Sequence, residues 1–564
     1  MKLAEMIVKD AKDRGLSHFF GIPGGGAPLD VMEAGRRHGL QFVSVSHESS
    51  AALMAGYHGE MHGTAGLALS VKGVGAGNLT GGATNAYFER LPVVCLCECS
   101  PTSVLQKDMV QHCDHASMFG GITKYRATLG QDAPETLREA VFSASDGRPG
   151  PVLLNLPSDL GLLECGPAGP AMTVKPGAPP AAERLAAFKT LLGSARKPLV
   201  IAGADVIRGD ARPELLAFIN NIEAAVMVTM DARGVFPESN PRWAGVLMGT
   251  FGPNIIETEM LGRADIVVVV GVDSMMSHAP WKSDIQVIEL SARAEYHSMA
   301  PGTKVRVDGD LKSSFKALAD QKQPGFTESE IGSARRKVLQ QFVRPGSATL
   351  AAHDVIKEVR AALPEEGTLF TETGAFVCLL EHVWPVNEPG TYYGTSGGRT
   401  MGLMLPAILG AKLARPDLPM IGIGADGSLL MRLGELEVFA RTGISVPLVI
   451  INDRSLGTMK SRQKSRGLPD YGLDLQDVDF AKVAQACGLN GATARTPEEL
   501  RHALKVASSA DRTTLIDARV DPQAYQDSFG PMIGVLGAPL IGGRGHMSPG
   551  HCMDSAPKST GRAW

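Results

Sequence analysis

Short apolar runs of strand length recur along the chain, and segments with helical periodicity separate them. The first region contains FVSVS, AGLALSV and VVCLCEC, and the middle region contains PLVIAG, AVMVTM, IVVVVGV and IQVIEL. The last region repeats the pattern with TLFTETG, PMIGIGADG, PLVIIND and TTLIDARV. Runs that are apolar throughout are typical of parallel strands covered by helices on both faces. The pattern therefore predicts an α/β protein with three successive doubly wound parallel-sheet domains.

Two changes in composition divide these regions. Residues 166–183 are rich in Pro, Gly and Ala and indicate an extended linker, and a polar stretch at about 321–348 precedes the last region. The expected units are an N-terminal domain at 1–165, a central domain at 184–322, a C-terminal domain at 349–530 and an irregular tail at 531–564.

The overall composition excludes several classes of protein. The chain has 564 residues, of which 44% are hydrophobic and 20% charged, as in ordinary globular proteins. A formal charge of −4 leaves no basic surplus for nucleic acid or an anionic membrane. The apolar runs are far shorter than a membrane span, and the N-terminus lacks the apolar core of a signal peptide. We expect a cytoplasmic protein with neither nucleic acid nor membrane as a partner.

Residues 422–453 place a carboxylate and a carboxamide at the ends of two successive predicted strands. Asp426 lies in a glycine turn after the first strand, and Asn452 ends the second. The residues between them predict a helix whose apolar face comprises Leu433, Leu436 and Phe439. Strands joined by a helical crossover meet at the carboxyl edge of a parallel sheet. Two oxygen ligands at such a glycine turn suit a magnesium ion that carries a bound diphosphate.

The same glycines also match a dinucleotide-binding fingerprint. Gly422, Gly424 and Gly427 spell G-x-G-x-x-G, and Asp453 lies 26 positions further on (453 − 427 = 26). Asp426 inside the turn would repel a pyrophosphate unless a cation lay between them. The pattern therefore favours a metal-bridged diphosphate, while a nicotinamide dehydrogenase and a plain helix-capping Asp stay open as alternatives.

The first region carries two further glycine loops, GIPGGG at 21–26 and GVGAGN at 73–78, each after a predicted strand. Glu48 follows the strand FVSVS and begins a predicted helix, where it could also serve only as a favourable charge at a helix N-terminus. Three glycine loops at the carboxyl ends of strands indicate one shared crevice.

Together these motifs resemble the thiamine diphosphate (ThDP) enzymes of the acetolactate synthase, pyruvate oxidase and benzoylformate decarboxylase group, over about residues 1–530. The turn at Asp426 is similar to the family's G-D-G motif with Asn some 26 residues later (452 − 426 = 26), although Ala425 replaces the first Gly. The resemblance implies ThDP and Mg²⁺ as cofactors. It also implies Asp426, Asn452 and the backbone carbonyl of Arg454 as metal ligands.

Other segments match further family motifs. The turn at 73–78 is similar to G-P-G-A-x-N, the loop at 21–26 to G-x-P-G-G, and GRTMGLMLP at 398–406 to G-x-x-M-G-F-G-L-P. The cofactor-binding residues that the resemblance implies are Gly25, Glu48, Asn78, Gly374, Arg399, Met401, Asp426, Gly427, Ser428, Asn452 and Gly457.

The resemblance also implies roles for these residues. Glu48, hydrogen-bonded to the pyrimidine ring, would promote the tautomer that removes the C2 proton of the cofactor. Met401 would be the apolar wedge that bends the cofactor, and the carbonyl of Arg399 would accept a hydrogen bond from it. VQHCD at 110–114 is similar to F-Q-E-x-D, so Gln111 is expected to act on the intermediate and His112 to donate a proton. Packing roles for His112 and His115 stay open.

The expected function is decarboxylation of a 2-oxo acid, with or without carboligation, in the manner of acetolactate synthase. GVDS at 271–274 stands where FAD-binding relatives often have G-x-R, so FAD is not favoured. The resemblance implies a homodimer or homotetramer in which Glu48 and Asp426 of one active site belong to different subunits. A dehydrogenase and a catalytically silent subunit of the same fold are the alternatives.

Overall fold

The computed structural model describes residues 1–104, 109–173, 177–249, 255–277, 281, 283–342 and 349–522. The predicted tail at 531–564 and the last residues of the predicted C-terminal domain lie outside the described residues. Within the described ranges, three six-stranded sheets follow one another, and all their neighbouring strands are parallel. The predicted α/β architecture of three successive sheets is confirmed.

The N-terminal sheet has the strand order β2-β1-β3-β4-β6-β5. Its strands are β1 His18–Ile22, β2 Gln41–Ser44, β3 Gly66–Ser70, β4 Val93–Cys99, β5 Arg126–Thr128 and β6 Pro151–Pro157. Its helices are α1 Leu3–Asp13, α2 Ala27–His38, α3 Glu48–His62, α4 Val74–Phe88, α5 His115–Met118 and α6 Ala133–Ser145. Every residue of β4 is buried, as expected for a central strand covered on both faces.

The central sheet has the order β12-β11-β10-β7-β8-β9. Its strands are β7 Pro198–Ala202, β8 Ala225–Thr229, β9 Trp243–Leu247, β10 Ile266–Val270, β11 Gln286–Ser291 and β12 Val305–Asp308. Its helices are α7 Ala182–Gly193, α8 Asp205–Arg208, α9 Arg212–Asn221, α10 Ile256–Leu261 and α11 Leu311–Ala317, and α12 Glu328–Leu339 follows them. Strand β10 consists only of β-branched residues, all buried.

The C-terminal sheet has the order β14-β13-β15-β16-β18-β17. Its strands are β13 Thr368–Thr371, β14 Tyr392–Tyr393, β15 Met420–Ala425, β16 Pro447–Asn452, β17 Asn490–Ala494 and β18 Thr514–Arg519. Its helices are α13 Ala352–Ala362, α14 Val377–Val383, α15 Met404–Ala414, α16 Asp426–Leu430, α17 Glu435–Thr442, α18 Gly457–Ser465, α19 Phe480–Ala486 and α20 Pro497–Ala507. None of the helices described is both long and apolar enough to cross a membrane.

The helix predicted between Asp426 and Asn452 is divided into α16 and α17, with Leu433 in the turn between them. The break falls before Gly434, the N-cap of α17, where an added Cβ would lie 2.8 Å from the Cβ of Ser46. The N-terminal domain therefore approaches the backbone too closely here for a side chain.

The polar stretch at 321–348 contains a packed helix as well as connecting chain. Helix α12 begins with a capping box between Thr327 and Glu330. Its apolar residues Ile331, Ala334 and Val338 are buried in a core shared by the central and C-terminal domains. The polar composition reflects the solvent-facing side of this helix.

Candidate active site

A cavity of about 400 Å³ opens at the carboxyl edge of the C-terminal sheet. Strands β15 and β16 are parallel neighbours in which Ala425 pairs with Ile451, so the residues that follow them meet at this edge. The cavity has the volume of a small-molecule site. The predicted cofactor-binding residues that line it are Gly374, Arg399, Met401, Asp426, Gly427, Ser428 and Gly457.

Asp426 and Asp453 bring two carboxyl groups to this cavity. Asp426 is 3% exposed and accepts hydrogen bonds from the backbone amides of Gly427 (2.6 Å) and Arg454 (2.7 Å). Burial raises the pKa of Asp426 to about 6, and burial followed by the charge of Asp426 raises the pKa of Asp453 to about 7. A divalent cation would stabilise both groups in their ionised form, so this donor pair fits a hard cation such as Mg²⁺.

The structure does not place the predicted ligands Asn452 and Arg454 among the residues that line the cavity. The Asn452 side chain is 2% exposed, and its Nδ2 donates to Asp517 Oδ1 of β18 at 2.8 Å. The Arg454 carbonyl already accepts a backbone hydrogen bond of 2.9 Å. In each case the next residue, Asp453 or Ser455, lines the cavity instead. The predicted ligand Asn452 is the last residue of β16, whereas the side chain that lines the cavity belongs to the next residue, Asp453.

The loop before α15 carries Arg399 and Met401 to the cavity. Arg399 has a φ of 47° and Gly402 a φ of 74°, both in the left-handed region. A Cβ added at Gly427 would lie 3.3 Å from Met401 Cε and 2.9 Å from Leu456 Cδ2. The Met401 side chain thus packs against the glycine turn, which agrees with an apolar wedge.

Glu89, the C-terminal cap of α4 in the N-terminal domain, holds this loop. Its carboxylate accepts hydrogen bonds from the backbone amides of Ser396 (2.8 Å) and Gly398 (3.0 Å) and from the Thr395 hydroxyl (3.1 Å). The Ser396 hydroxyl donates to it as well. One carboxylate therefore fixes the segment just before Arg399. Sequence reasoning missed Glu89, because it lies 306 residues before its first partner and belongs to no motif.

We expect Glu89→Ala to lower both the stability of the fold and the affinity for ThDP. It would leave the amides of Ser396 and Gly398 without acceptors, and a hydrogen bond to a charged group contributes about 1.5–3 kcal/mol. We therefore expect the free energy of unfolding to fall by about 3 kcal/mol in urea denaturation. Glu437→Ala, at a 57% exposed helical glutamate, is the control and should change it by less than about 0.5 kcal/mol. Equal stability of the two variants would contradict the anchoring role.

The structure brings the predicted catalytic residue Glu48 together with Asn78. Glu48 is the first residue of α3, is 6% exposed, and accepts a hydrogen bond on Oε2 from Asn78 Nδ2 at 3.0 Å. A Cβ added at Gly75 would lie 3.1 Å from Glu48 Oε1. The same Cβ would lie 2.4 Å from Val71 Cγ1, so the absence of a side chain at Gly75 lets the turn approach both residues.

Gln111 and His112 line a second cavity of about 260 Å³ in the N-terminal domain. The backbone of Gln111 is left-handed with a φ of 61°, and its carbonyl lies 2.7 Å from the Cβ position of Gly73. His112 Nδ1 lies 2.9 Å from the Ser100 hydroxyl. His115 is 3% exposed, and its Nε2 accepts a hydrogen bond from the Gly73 amide at 3.2 Å. His115 therefore supports the glycine turn, which is a packing role.

The predicted site residues of the N-terminal and C-terminal domains line two different cavities. The 260 Å³ and 400 Å³ cavities have no lining residue in common, and Glu48 and the exposed Gly25 line neither of them. The two domains contact each other through α3 and α15 and through a 2.6 Å hydrogen bond from Arg432 Nη1 to the Ser49 hydroxyl.

Comparison with known protein families identifies the family to which the chain belongs. Models of thiamine pyrophosphate enzymes match at residues 1–118 (N-terminal TPP binding domain), 185–318 (central domain) and 372–518 (C-terminal TPP binding domain). The chain belongs to the thiamine pyrophosphate enzyme family. The predicted family is confirmed, and the nicotinamide dehydrogenase alternative is not favoured.

Curated relatives match nearly the whole chain. It is 28% identical to the probable acetolactate synthase large subunit of Methanocaldococcus jannaschii, over 93% of this chain and 92% of the relative. It is 27% identical to the acetolactate synthase large subunit of Haemophilus influenzae, over 93% and 95%. The acetolactate synthase isozyme 3 large subunit of Escherichia coli is also 27% identical, over 92% and 94%. The similarity therefore extends through all three domains.

The carboxyl edge of the central sheet carries buried ion pairs with the N-terminal domain. Asp273 belongs to the segment GVDS, which was compared above with the G-x-R motif. It is 1% exposed and pairs with Arg90 (2.7 Å) and Arg148 (3.2 Å) of the N-terminal domain. Asp205 is 3% exposed and pairs with Arg148 at 2.8 Å. These ion pairs anchor the N-terminal domain to the central domain. That FAD is not favoured stays a prediction.

Proposed function

We propose that the protein is a ThDP- and Mg²⁺-dependent enzyme that decarboxylates a 2-oxo acid, with or without carboligation to a second carbonyl compound. The observation that carries this proposal is the pair Asp426 and Asp453 in the cavity of the C-terminal TPP binding domain. Glu48, held by Asn78 in the N-terminal TPP binding domain, supplies a matching acid–base group. The names of the relatives, acetolactate synthase large subunits, agree with this reaction class.

In this proposal Mg²⁺ is held by the carboxylates of Asp426 and Asp453 and by the backbone carbonyl of Ser455. Asn452 takes a supporting position through its hydrogen bond to Asp517. Among the described residues, no cluster of three or more His, Cys, Asp or Glu side chains is arranged to hold a metal ion. Two carboxylates, a carbonyl and oxygens of the cofactor and water meet the usual preference of Mg²⁺.

When bound, ThDP supplies a carbon nucleophile and an acceptor for the electrons that remain when CO₂ leaves. Glu48 would exchange a proton with the pyrimidine ring of the bound cofactor, and the Arg399 carbonyl and Met401 would orient that ring. Gln111 would orient the substrate, and His112 would donate a proton to it. Gly25, Gly374, Gly427, Ser428 and Gly457 provide close backbone approach to the cofactor.

We further propose a homodimer or homotetramer with active sites between subunits. In this proposal Glu48 and Asp426 act on one cofactor, yet Glu48 does not line the cavity that Asp426 lines. A second copy of the chain would complete each site. Sedimentation of the holoenzyme is expected to give at least a dimer.

Calorimetry with ThDP and with NADH tests the proposed cofactor. We expect ThDP to bind only when Mg²⁺ is present, and NADH not to bind. A panel of 2-oxo acids should then release CO₂ with the loaded enzyme. Tight, magnesium-independent binding of NADH would restore the dehydrogenase alternative. Tight ThDP binding without turnover of any 2-oxo acid would favour the catalytically silent subunit.

A further inference from the structure

Two arginines line the C-terminal cavity, and neither guanidinium has a role in the assignments above, where Arg399 acts through its backbone carbonyl. Arg462 lies on α18, five positions after Gly457, and Arg399 lies in the loop before α15. Arg462 Nε is buried and has no hydrogen-bond partner. Arg399 Nη2 lies 2.9 Å from the Met230 sulfur, and the charge of Arg399 acts against the rise that burial causes in the pKa of Glu381. Neither guanidinium forms an ion pair with a carboxylate of the described chain.

Arg462 as a whole is half-buried, but its Nε is a buried donor without a partner, and such a donor is costly. Arg233, which is fully buried, forms a 2.7 Å ion pair with Glu238, and Arg148 pairs with Asp205 at 2.8 Å. Removing a cation from water is unfavourable unless an anion or acceptors replace the water. The missing partner of Arg462 is therefore expected to be an anion that enters the cavity from outside.

The two arginines lie on the side of the cavity formed by α14. Burial, and after it the charge of Glu381, raise the pKa of the Cys378 thiol on α14 to about 12, and the positive charges of Arg399 and Arg462 act against that rise. The Asp426 carboxylate, in contrast, is bonded to backbone amides, as is the Asp453 carboxylate through the Ser455 amide (3.1 Å). The cavity thus has an acidic, metal-binding part and a separate basic part.

We propose that Arg462, assisted by Arg399, binds an acidic group of the substrate that is not lost as CO₂. The preferred 2-oxo acid therefore carries a second acidic group. This inference rests on the proposed function and names its substrate class. The carboxylate beside the oxo group leaves as CO₂ and cannot be the retained group. A carboxylate, sulfonate or phosphonate on the rest of the substrate matches the planar fork of a guanidinium.

The full chain loaded with ThDP and Mg²⁺ provides the test. Wild-type kcat/KM is expected to be at least about tenfold higher for 2-oxoglutarate than for 2-oxopentanoate, which has the same chain length without the second carboxylate. Arg462→Gln should lower kcat/KM for 2-oxoglutarate about 10- to 100-fold and change the value for 2-oxopentanoate less than about threefold. Sulfopyruvate and phosphonopyruvate, each compared with 2-oxobutyrate, extend the test to other acidic groups.

Two further variants distinguish binding from folding. Arg466→Gln removes the same charge from an exposed position one turn later and should leave both kcat/KM values unchanged. Arg462→Lys keeps the charge without the fork and should restore part of the preference for the diacid. Thermal unfolding and ThDP titration of each variant confirm that fold and cofactor binding are retained.

The outcomes separate this inference from the function on which it rests. Equal losses for the diacid and the monoacid, together with weaker ThDP binding, would show that Arg462 holds the cofactor's diphosphate and would overturn the inference. Equal wild-type kcat/KM for both substrates of every pair would also overturn it, with the proposed function intact. If the wild-type chain binds no ThDP, the proposed function itself fails and this inference fails with it.

Discussion

Glu48→Gln is expected to lower turnover of every 2-oxo acid by about 10²–10⁴-fold while ThDP and Mg²⁺ still bind. The amide keeps an oxygen that can accept the 3.0 Å hydrogen bond from Asn78, so the side chain should stay in place. An amide cannot exchange a proton with the pyrimidine ring, so removal of the C2 proton should slow by a similar factor. Hydrogen–deuterium exchange at C2, quenched in acid and read by NMR, measures this step directly.

A matched control separates this chemical effect from the loss of a buried carboxylate in general. Glu358 is also 6% exposed, but it pairs with Arg501 on α20 and lines neither cavity of the site. Glu358→Gln should leave C2 exchange within about twofold of wild type, although it removes a charge from an ion pair. C2 exchange in Glu48→Gln as fast as in wild type would remove Glu48 from the mechanism.

The architecture was predictable because every sheet is parallel and covered on both faces. Strands in such sheets must be apolar throughout, which makes runs such as IVVVV in β10 visible without any other information. The proximity of Asp426 to the end of β16 was predictable as well, because successive parallel strands joined by a crossover become neighbours in the sheet. The contact of Glu48 with Asn78 did not follow from this rule, because β1 lies between β2 and β3 in the sheet and Asn78 lies within α4.

Single-residue detail at the edge of the sheet was not predictable in the same way. Asn452 and Asp453 are adjacent in the sequence, and the apolar pattern of the strand before them does not predict which of the two side chains faces the cavity. Pairing of Asn452 with Asp517 on β18 decides it, and that contact joins residues 65 positions apart. Glu89 and Arg462 were missed because their roles depend on packing between distant segments.

The interruption of the helix at Gly434 has the same origin. Helical periodicity supports an unbroken helix from the turn at Asp426 to Thr442, and Leu436 and Phe439 are buried as expected. The break coincides with the place where the N-terminal domain approaches Gly434 through Ser46. Local sequence thus determined the elements, and contacts between domains determined where they end.

Asp453→Ala is expected to weaken magnesium-dependent binding of ThDP by about 100-fold or more, and Asn452→Ala to weaken it much less. Loss of a residue that only supports a ligand costs about 10- to 100-fold in metal affinity, and loss of a ligand should cost at least the upper value. Asp453 lines the cavity next to Asp426, whereas Asn452 donates to Asp517 outside it. Calorimetric titration of ThDP at a series of Mg²⁺ concentrations measures both affinities.

The same two variants should rank in the opposite order for stability. Asn452→Ala leaves Asp517 with one buried hydrogen bond fewer, which should cost about 1–3 kcal/mol in urea denaturation. Asp453→Ala removes a carboxyl group whose pKa is raised to about 7 by burial and by Asp426, so without metal it should cost less. Electron paramagnetic resonance with Mn²⁺ in place of Mg²⁺ gives an independent reading of the metal site. Loss of the bound Mn²⁺ signal in Asn452→Ala but not in Asp453→Ala would restore Asn452 as the ligand.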